Sequence, residues 1–161
     1  MTVQTGHTLP DIALKVLNDG LQTFHASSLF GGQKVVVFGV PGAFTPTCSA
    51  RHLPGFIDAL PQFTERGITV FCMAVNDPFV MQAWGREQHV PDTLQLISDG
   101  NAELTTHWGL KLDASASGMG TRCKRFAMYL EDGVVKQVFI EEPGKFEVSS
   151  AEAMLAAVDA L

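Results

Sequence analysis

The sequence predicts an α/β fold, a central mixed sheet with helices on both faces and an N-terminal β-hairpin extension. Two observations carry this expectation. Short continuous apolar runs rich in β-branched residues, "KVVVFGV" (34–40), "GITVFCMAV" (67–75) and "LQLIS" (94–98), alternate with segments of helical spacing. Runs of that kind suit strands buried on both faces, and strands alternating with helices imply a sheet covered on both sides. Hairpin signals flank this centre, Asn18-Asp19-Gly20 near the start and Asp132-Gly133 near the end, because Asn-Gly and Asp-Gly pairs supply the positive φ angles of tight hairpin turns.

In chain order, "ALKVLNDGLQTFHA" reads as the first hairpin and 34–40 as the first central strand. Leu53, Phe56, Ile57, Leu60 and Phe63 then recur at helical spacing. Pro54 and Pro61 interrupt that pattern, so a kinked or broken helix is expected. After the strand at 67–75, Asp77-Pro78 has the form of an N-cap followed by proline at the first helical position, opening a helix to about Gln88. The strand at 94–98 precedes a short helix over 101–109 closed by Gly109. "LKLDASASGMG" reads as loop and "RFAMYLEDGVVKQVFIEE" as the second hairpin. Ser149-x-x-Glu152 reads as a capping box before Met154, Leu155, Val158 and Leu161. A β-α-β unit followed by an antiparallel hairpin and a last helix is the thioredoxin-like arrangement, expected here as one domain over residues 1–161.

Composition narrows the function. Apolar residues make up 46% and charged residues 17% of 161, which argues against disorder. A formal net charge of −6 gives no general attraction to nucleic acid or anionic membrane. No apolar run approaches the ~20 residues that span a bilayer. "MTVQTGHTLPDIAL" lacks the basic and apolar regions of a secretory signal. Three cysteines, an odd number far apart, do not form a secreted disulfide framework, so a cytoplasmic, reducing location is expected. His7, His25, His89 and His107 lack metal-ligand spacing, and the glycines at 39–42, 118 and 120 lack a phosphate-loop context. No metal and no cofactor are expected.

The chemistry concentrates at Cys48. It lies beyond the carboxyl end of a central strand, where sites form in open α/β sheets. In Thr45-Pro46-Thr47-Cys48 the threonine reads as N-cap, Pro46 as N1 and Cys48 as about N3. A thiol there faces free N–H groups and the positive end of the helix dipole, which favour thiolate. A nearby cation would complete the activation, and apart from Arg51 and His52 it must come from elsewhere in the fold. Without a CxxC pair the site is not a thioredoxin-type dithiol. From placement alone, an inert buried thiol remains an equal reading.

Pro41-x-x-x-Thr45-x-x-Cys48 matches the active-site pattern of the peroxiredoxins, and "PGAFTPTCSARHLPGF" resembles the type II, peroxiredoxin-5-like subfamily. "VNDPFVMQAWG" (75–85), "ISDGNAEL" (97–104) and "KRFAMYLEDGVV" (124–135) agree in order, so the resemblance spans nearly the whole chain. It implies a cofactor-free thiol peroxidase that reduces hydrogen peroxide and alkyl hydroperoxides. Cys48 would be the peroxidatic cysteine, Thr45 would hold thiolate and peroxide, Pro41 would wall the pocket, and Arg125 would be the distant cation. The reductant would be glutaredoxin with glutathione, or thioredoxin.

Other residues keep two readings. Cys72 is a buried core thiol or, as in plant-type members, the resolving cysteine. Cys123, two residues before Arg125, would share its face if the stretch is extended, and is a second resolving candidate. External thiol alone is the third route. His52 either tunes the site or bonds the backbone from its helix. Phe44, Phe79 and Trp84 are core residues or anchors of the homodimer interface that the resemblance implies. A cysteine-dependent transferase or hydrolase is the rival enzyme class, and a peroxide sensor or redox-regulated binding module the rival on the same fold.

Overall fold

The computed structural model describes residues 1–17 and 20–161. A seven-stranded sheet runs β2-β1-β5-β4-β3-β8-β9. Its strands are β1 (Ala13–Leu17), β2 (Leu21–His25), β3 (Lys34–Gly39), β4 (Ile68–Ala74), β5 (Leu94–Ser98), β8 (Phe126–Glu131) and β9 (Val134–Ile140). β3, β4 and β5 are parallel, whereas β1 and β8 join that centre antiparallel. The mixed sheet and the N-terminal hairpin agree with the sequence. Asn18 and Asp19, assigned to the first hairpin's turn, lie outside the described residues. At the second turn Asp132 and Gly133 take φ of 47° and 75°, the left-handed pair that such turns require.

The alternation of side chains along each strand divides the core into two layers. Val36, Phe38, Val70 and Cys72 face α2 (Leu53–Glu65), α3 (Pro78–Glu87) and α5 (Ala151–Asp159). Val35, Val37, Phe71 and Met73 face the other way, toward α1 (Ala26–Phe30), α4 (Glu103–His107) and Trp108. Helices therefore cover both faces.

Several local expectations change. The stretch read as loop includes β6 (Lys111–Asp113), which forms a small hairpin with β7 (Thr121–Cys123) just beyond it, separate from the main sheet. Three-residue strands are too short to carry a periodic signal. α4 is shorter than 101–109, and α1 carried no capping signal that would have revealed it. The N-cap of α5 is Ser150, which accepts a hydrogen bond from Ala153 N–H, and not Ser149. Ser149 has a different partner, described below. Pro54 and Pro61 do not break α2. A π-helical turn over Cys48–His52 leads into it, with Leu53 N–H donating to Cys48 C=O five residues back. Pro54 has no N–H, and its ring would crowd the Ala50 carbonyl in an ordinary turn; a wider turn accommodates it.

The register of β3 against β8 sets Gly39 beside Phe126, so the end of β3, which leads into the Cys48 loop, adjoins Arg125. The Phe126 ring fills the space that a Cβ on Gly39 would occupy. Gly39→Ala is therefore expected to lower stability by about 1–3 kcal/mol through overpacking, read as a lower urea midpoint at unchanged slope; an unaltered midpoint would show that Phe126 yields freely.

Candidate active site

The loop leaving β3 is fixed before it reaches the cysteine. Ala43 N–H donates to Asn76 Oδ1 at 2.9 Å, and Ser98 Oγ–H donates to the Asn76 carbonyl. Phe44 follows with φ of 65°, a left-handed conformation that a bulky residue adopts only when its surroundings impose it. The Thr45 hydroxyl donates to the Gly42 carbonyl at 2.6 Å. That bond closes the turn and spends the donor, so the expected side-chain cap on the first helical turn does not form. The Thr45 carbonyl instead accepts from Ser49 N–H at 3.0 Å.

Cys48 is fully buried. Arg125 Nη2–H donates to Cys48 Sγ at 3.1 Å, and Arg125 Nη1–H donates to His52 Nδ1 at 2.9 Å. Guanidinium can only donate, so Nδ1 of His52 is the acceptor and Nε2 carries the proton, which it donates to the Ser149 carbonyl at 2.9 Å. Burial first, and then the Arg125 charge, push the His52 pKa down to about 3. His52 thus bonds backbone through one nitrogen, as one of its two readings expected, and meets Arg125 through the other. Arg51, the nearer arginine in sequence, lies over the Phe146 ring at 4.7 Å.

A cavity of about 90 Å³ is lined by Pro41, Thr47, Leu112, Lys124, Arg125 and the 141–145 segment, so it reaches the guanidinium that bonds the sulfur. Pro41 and Arg125 meet there as expected. Thr47 was not singled out from sequence. Nor were Glu141 and Phe146, and Ser149 was read only as a helix cap; the contribution of all three depends on a loop fold that carries no motif.

The other candidates separate clearly. Cys72 sits in the middle of β4 opposite Phe38, fully buried, and burial pushes its thiol well above the ordinary range. Cys123 does not share a face with Arg125. β7 ends at Cys123 and β8 begins at Phe126, so the stretch is not one continuous strand. The Cys123 thiol packs in the opposite core layer and donates to the Val40 carbonyl at 3.1 Å. Burial and then Asp99 push its pKa up to about 12. Trp84 is not an interface anchor: it is fully buried in the first core layer, and its Nε1–H donates to Ser49 Oγ at 2.9 Å. Phe44 and Phe79 are 52% and 62% exposed. Among the described residues no group of three or more metal-ligating side chains forms, and no helix is long and apolar enough to cross a membrane.

The Redoxin family pattern matches residues 4–155. Peroxiredoxin-2B of Arabidopsis thaliana is 43% identical over 159 residues, 97% of this chain and 98% of its own length. The chain belongs to the peroxiredoxins. Chloroplastic peroxiredoxin-2E of the same plant is 44% identical over 163 residues, 98% of this chain and 70% of its own length. The structure of reduced Prx3 from Vibrio vulnificus in complex with H2O2 superposes with a TM-score of 0.93 at 42% identity, covering 98% of this chain and 97% of that one. The sequence resemblance and the thioredoxin-like fold are thereby both established, and the chain is a thiol-dependent peroxidase. Its relatives include an organelle form, so membership of this peroxiredoxin group does not fix a compartment.

His52 also marks how this peroxiredoxin should respond to acid. A histidine with its pKa lowered from 6.5 to about 3 is neutral in the fold and protonated in the unfolded chain between those values. Its contribution is complete above about 6.5 and is lost as pH falls toward 3. His52→Asn should flatten this acid limb of stability, measured as the urea midpoint from pH 7 down to 4; a limb of unchanged steepness would assign it to the carboxylates.

Proposed function

We propose that Cys48 is the peroxidatic nucleophile, with Arg125 as the cation that activates and orients it and Pro41 walling the pocket. The observation that carries this reading is the Arg125 Nη2–H···Sγ bond at 3.1 Å. The cysteine sulfur attacks the near oxygen of the peroxide, an S–O bond forms and the O–O bond breaks. The far oxygen leaves with the electron pair as hydroxide or alkoxide and takes up a proton. Negative charge develops on both oxygens in that transition state, and a fixed guanidinium stabilises it without reorganisation. The small cavity suits hydrogen peroxide and short alkyl hydroperoxides. Thr45 acts here through its turn: its hydroxyl holds the Gly42 carbonyl and so fixes the loop before Cys48.

The product is a sulfenic acid, which an external thiol attacks, releasing water and leaving a mixed disulfide; a second thiol frees Cys48. Two features support external recycling by glutathione with glutaredoxin, or by thioredoxin. Cys72 and Cys123 are fully buried, and both are held as thiols, whereas the attacking species is the thiolate. Three unpaired thiols suit a reducing compartment such as the cytoplasm. Non-reducing mass spectrometry after one equivalent of peroxide should find no Cys48–Cys123 disulfide, and Cys48→Ser should abolish thiol-dependent peroxide consumption. Activity surviving in Cys48→Ser would sink the assignment.

We further propose a homodimer through the edge that carries Phe44 and Phe79. The Ala43–Asn76 hydrogen bond holds the Cys48 loop against the start of α3, so the two exposed rings lie on neighbouring segments and can act as anchors. Phe79→Asp should shift sedimentation toward monomer; an unchanged profile in the variant would move the interface elsewhere.

A further inference from the structure

Glu141 follows the last residue of β9 and pairs across the strands with Arg125, its N–H donating to the Arg125 carbonyl at 2.9 Å. Opposite charges so placed ordinarily attract one another. Yet among the described residues the Glu141 carboxylate makes no ion pair with Arg125. Its oxygens point into the following loop. Oε2 accepts from the N–H groups of Glu147 at 2.8 Å, Val148 at 2.8 Å and Ser149 at 2.9 Å, and from Ser149 Oγ–H at 2.7 Å. Oε1 also accepts from Glu147 N–H, at 3.0 Å. Only 5% of the residue is exposed. Burial alone would push this carboxyl up, but the donors from Glu147, Ser149 and Val148 outweigh it and hold it below the ordinary range.

The loop that this carboxylate gathers touches the site at two points. The carbonyl of Ser149, the residue bound by Glu141 through both N–H and hydroxyl, is the acceptor for His52 Nε2–H. The Phe146 ring lies 4.9 Å from the His52 ring and 5.8 Å from the Arg125 guanidinium carbon. A continuous chain of bonds therefore runs from Glu141 through Ser149, His52 and Arg125 to Cys48 Sγ. Resting on the peroxidase reading of Cys48 and Arg125, we propose that Glu141 is a positioning residue for the reaction: its carboxylate folds the 142–149 loop so that Ser149 fixes His52 and His52 aims Arg125 at the sulfur.

Charge and position act with opposite sign, which makes the proposal testable. Glu141→Gln removes a negative charge near Arg125. By electrostatics alone this favours an anionic sulfur and speeds both peroxide reduction and alkylation of Cys48. Loss of positioning instead slows peroxide reduction selectively, because iodoacetamide has no peroxide oxygens for Arg125 to hold. The experiment measures the single-turnover rate with hydrogen peroxide and the rate of Cys48 carboxamidomethylation, on full-length wild type, Glu141→Gln and Ser149→Ala, with circular dichroism as the check on folding. The ratio of the two rates is expected to fall by about tenfold or more in Glu141→Gln, and by less in Ser149→Ala, which removes one of the donors. A ratio equal to wild type, or equal losses in both reactions, would overturn the role. If Glu141→Gln does not fold, Ser149→Ala decides on the same ratio. A Cys48→Ser control separates the two readings. Peroxidase activity surviving in it overturns the underlying assignment, whereas Cys48-dependent activity with an unchanged ratio in the folded variants overturns only the positioning role.

Discussion

The structure is organised around one hydrogen bond, from Arg125 to the sulfur of Cys48, between residues 77 apart in sequence. A thiol at a helix start has partial charges nearby but no full one, and a guanidinium is a bulky cation that must be desolvated to reach it. Burying such a charge is expensive unless its donors are engaged. The sheet solves the delivery problem. The β3–β8 register brings the exit of one strand beside the entry of the other, and Gly39 gives way to Phe126 so that the two can close up. The loop beyond β3 is then pinned to Asn76, which fixes the sulfur's side of the pair.

What Arg125 does with its other donors is as consequential as the bond to sulfur. A carboxylate partner would hold the guanidinium well but neutralise much of its field, leaving less for the neighbouring sulfur. The partner here is a neutral imidazole, which accepts one hydrogen bond and contributes no charge. Aromatic rings of Phe38, Phe56 and Phe146 surround it at 4.9–5.6 Å and help keep it dry. The nearest cross-strand carboxylate, Glu141, is occupied by backbone donors of its own loop. Charge balance at this site is achieved by keeping the anion busy elsewhere.

The pattern of legibility follows from the range of the forces. β3, β4, β5, α3 and the second hairpin were readable because burial periodicity, an N-cap and an Asp-Gly turn are local. That Arg125 would come to Cys48, and Pro41 to the same cavity as Arg125, was legible only through a spaced motif and a resemblance spanning four blocks. Thr45 was placed correctly at the turn but with the wrong bond, since a hydroxyl can donate backward as readily as accept forward. Ser149 and Ser150 are adjacent candidates for one cap, and the contest was decided by Glu141, which claims Ser149 from across a loop. Trp84 and Phe79 lie on the same helix with similar hydrophobicity; only the packing of α3 against the π-helical turn decides which ring is inside. Cys123 was misplaced because two residues between short strands suffice to turn a side chain into the other layer.

These placements bear on the proposed recycling by an external thiol. Cys72 is in the central strand of the parallel ladder, paired with β3 on one side and β5 on the other. Bringing its sulfur to Cys48 by moving β4 would break backbone bonds on both flanks and open the first core layer. Cys123 would have to leave its bond to Val40 and cross from the second layer. Cys48 itself lies outside the sheet, in the single wide turn ahead of α2, where Leu53 N–H reaches back five residues to the Cys48 carbonyl. On the proposed peroxidatic reading, an external thiol therefore asks for rearrangement only at that turn, whereas Cys72 or Cys123 would ask for it in a core layer as well.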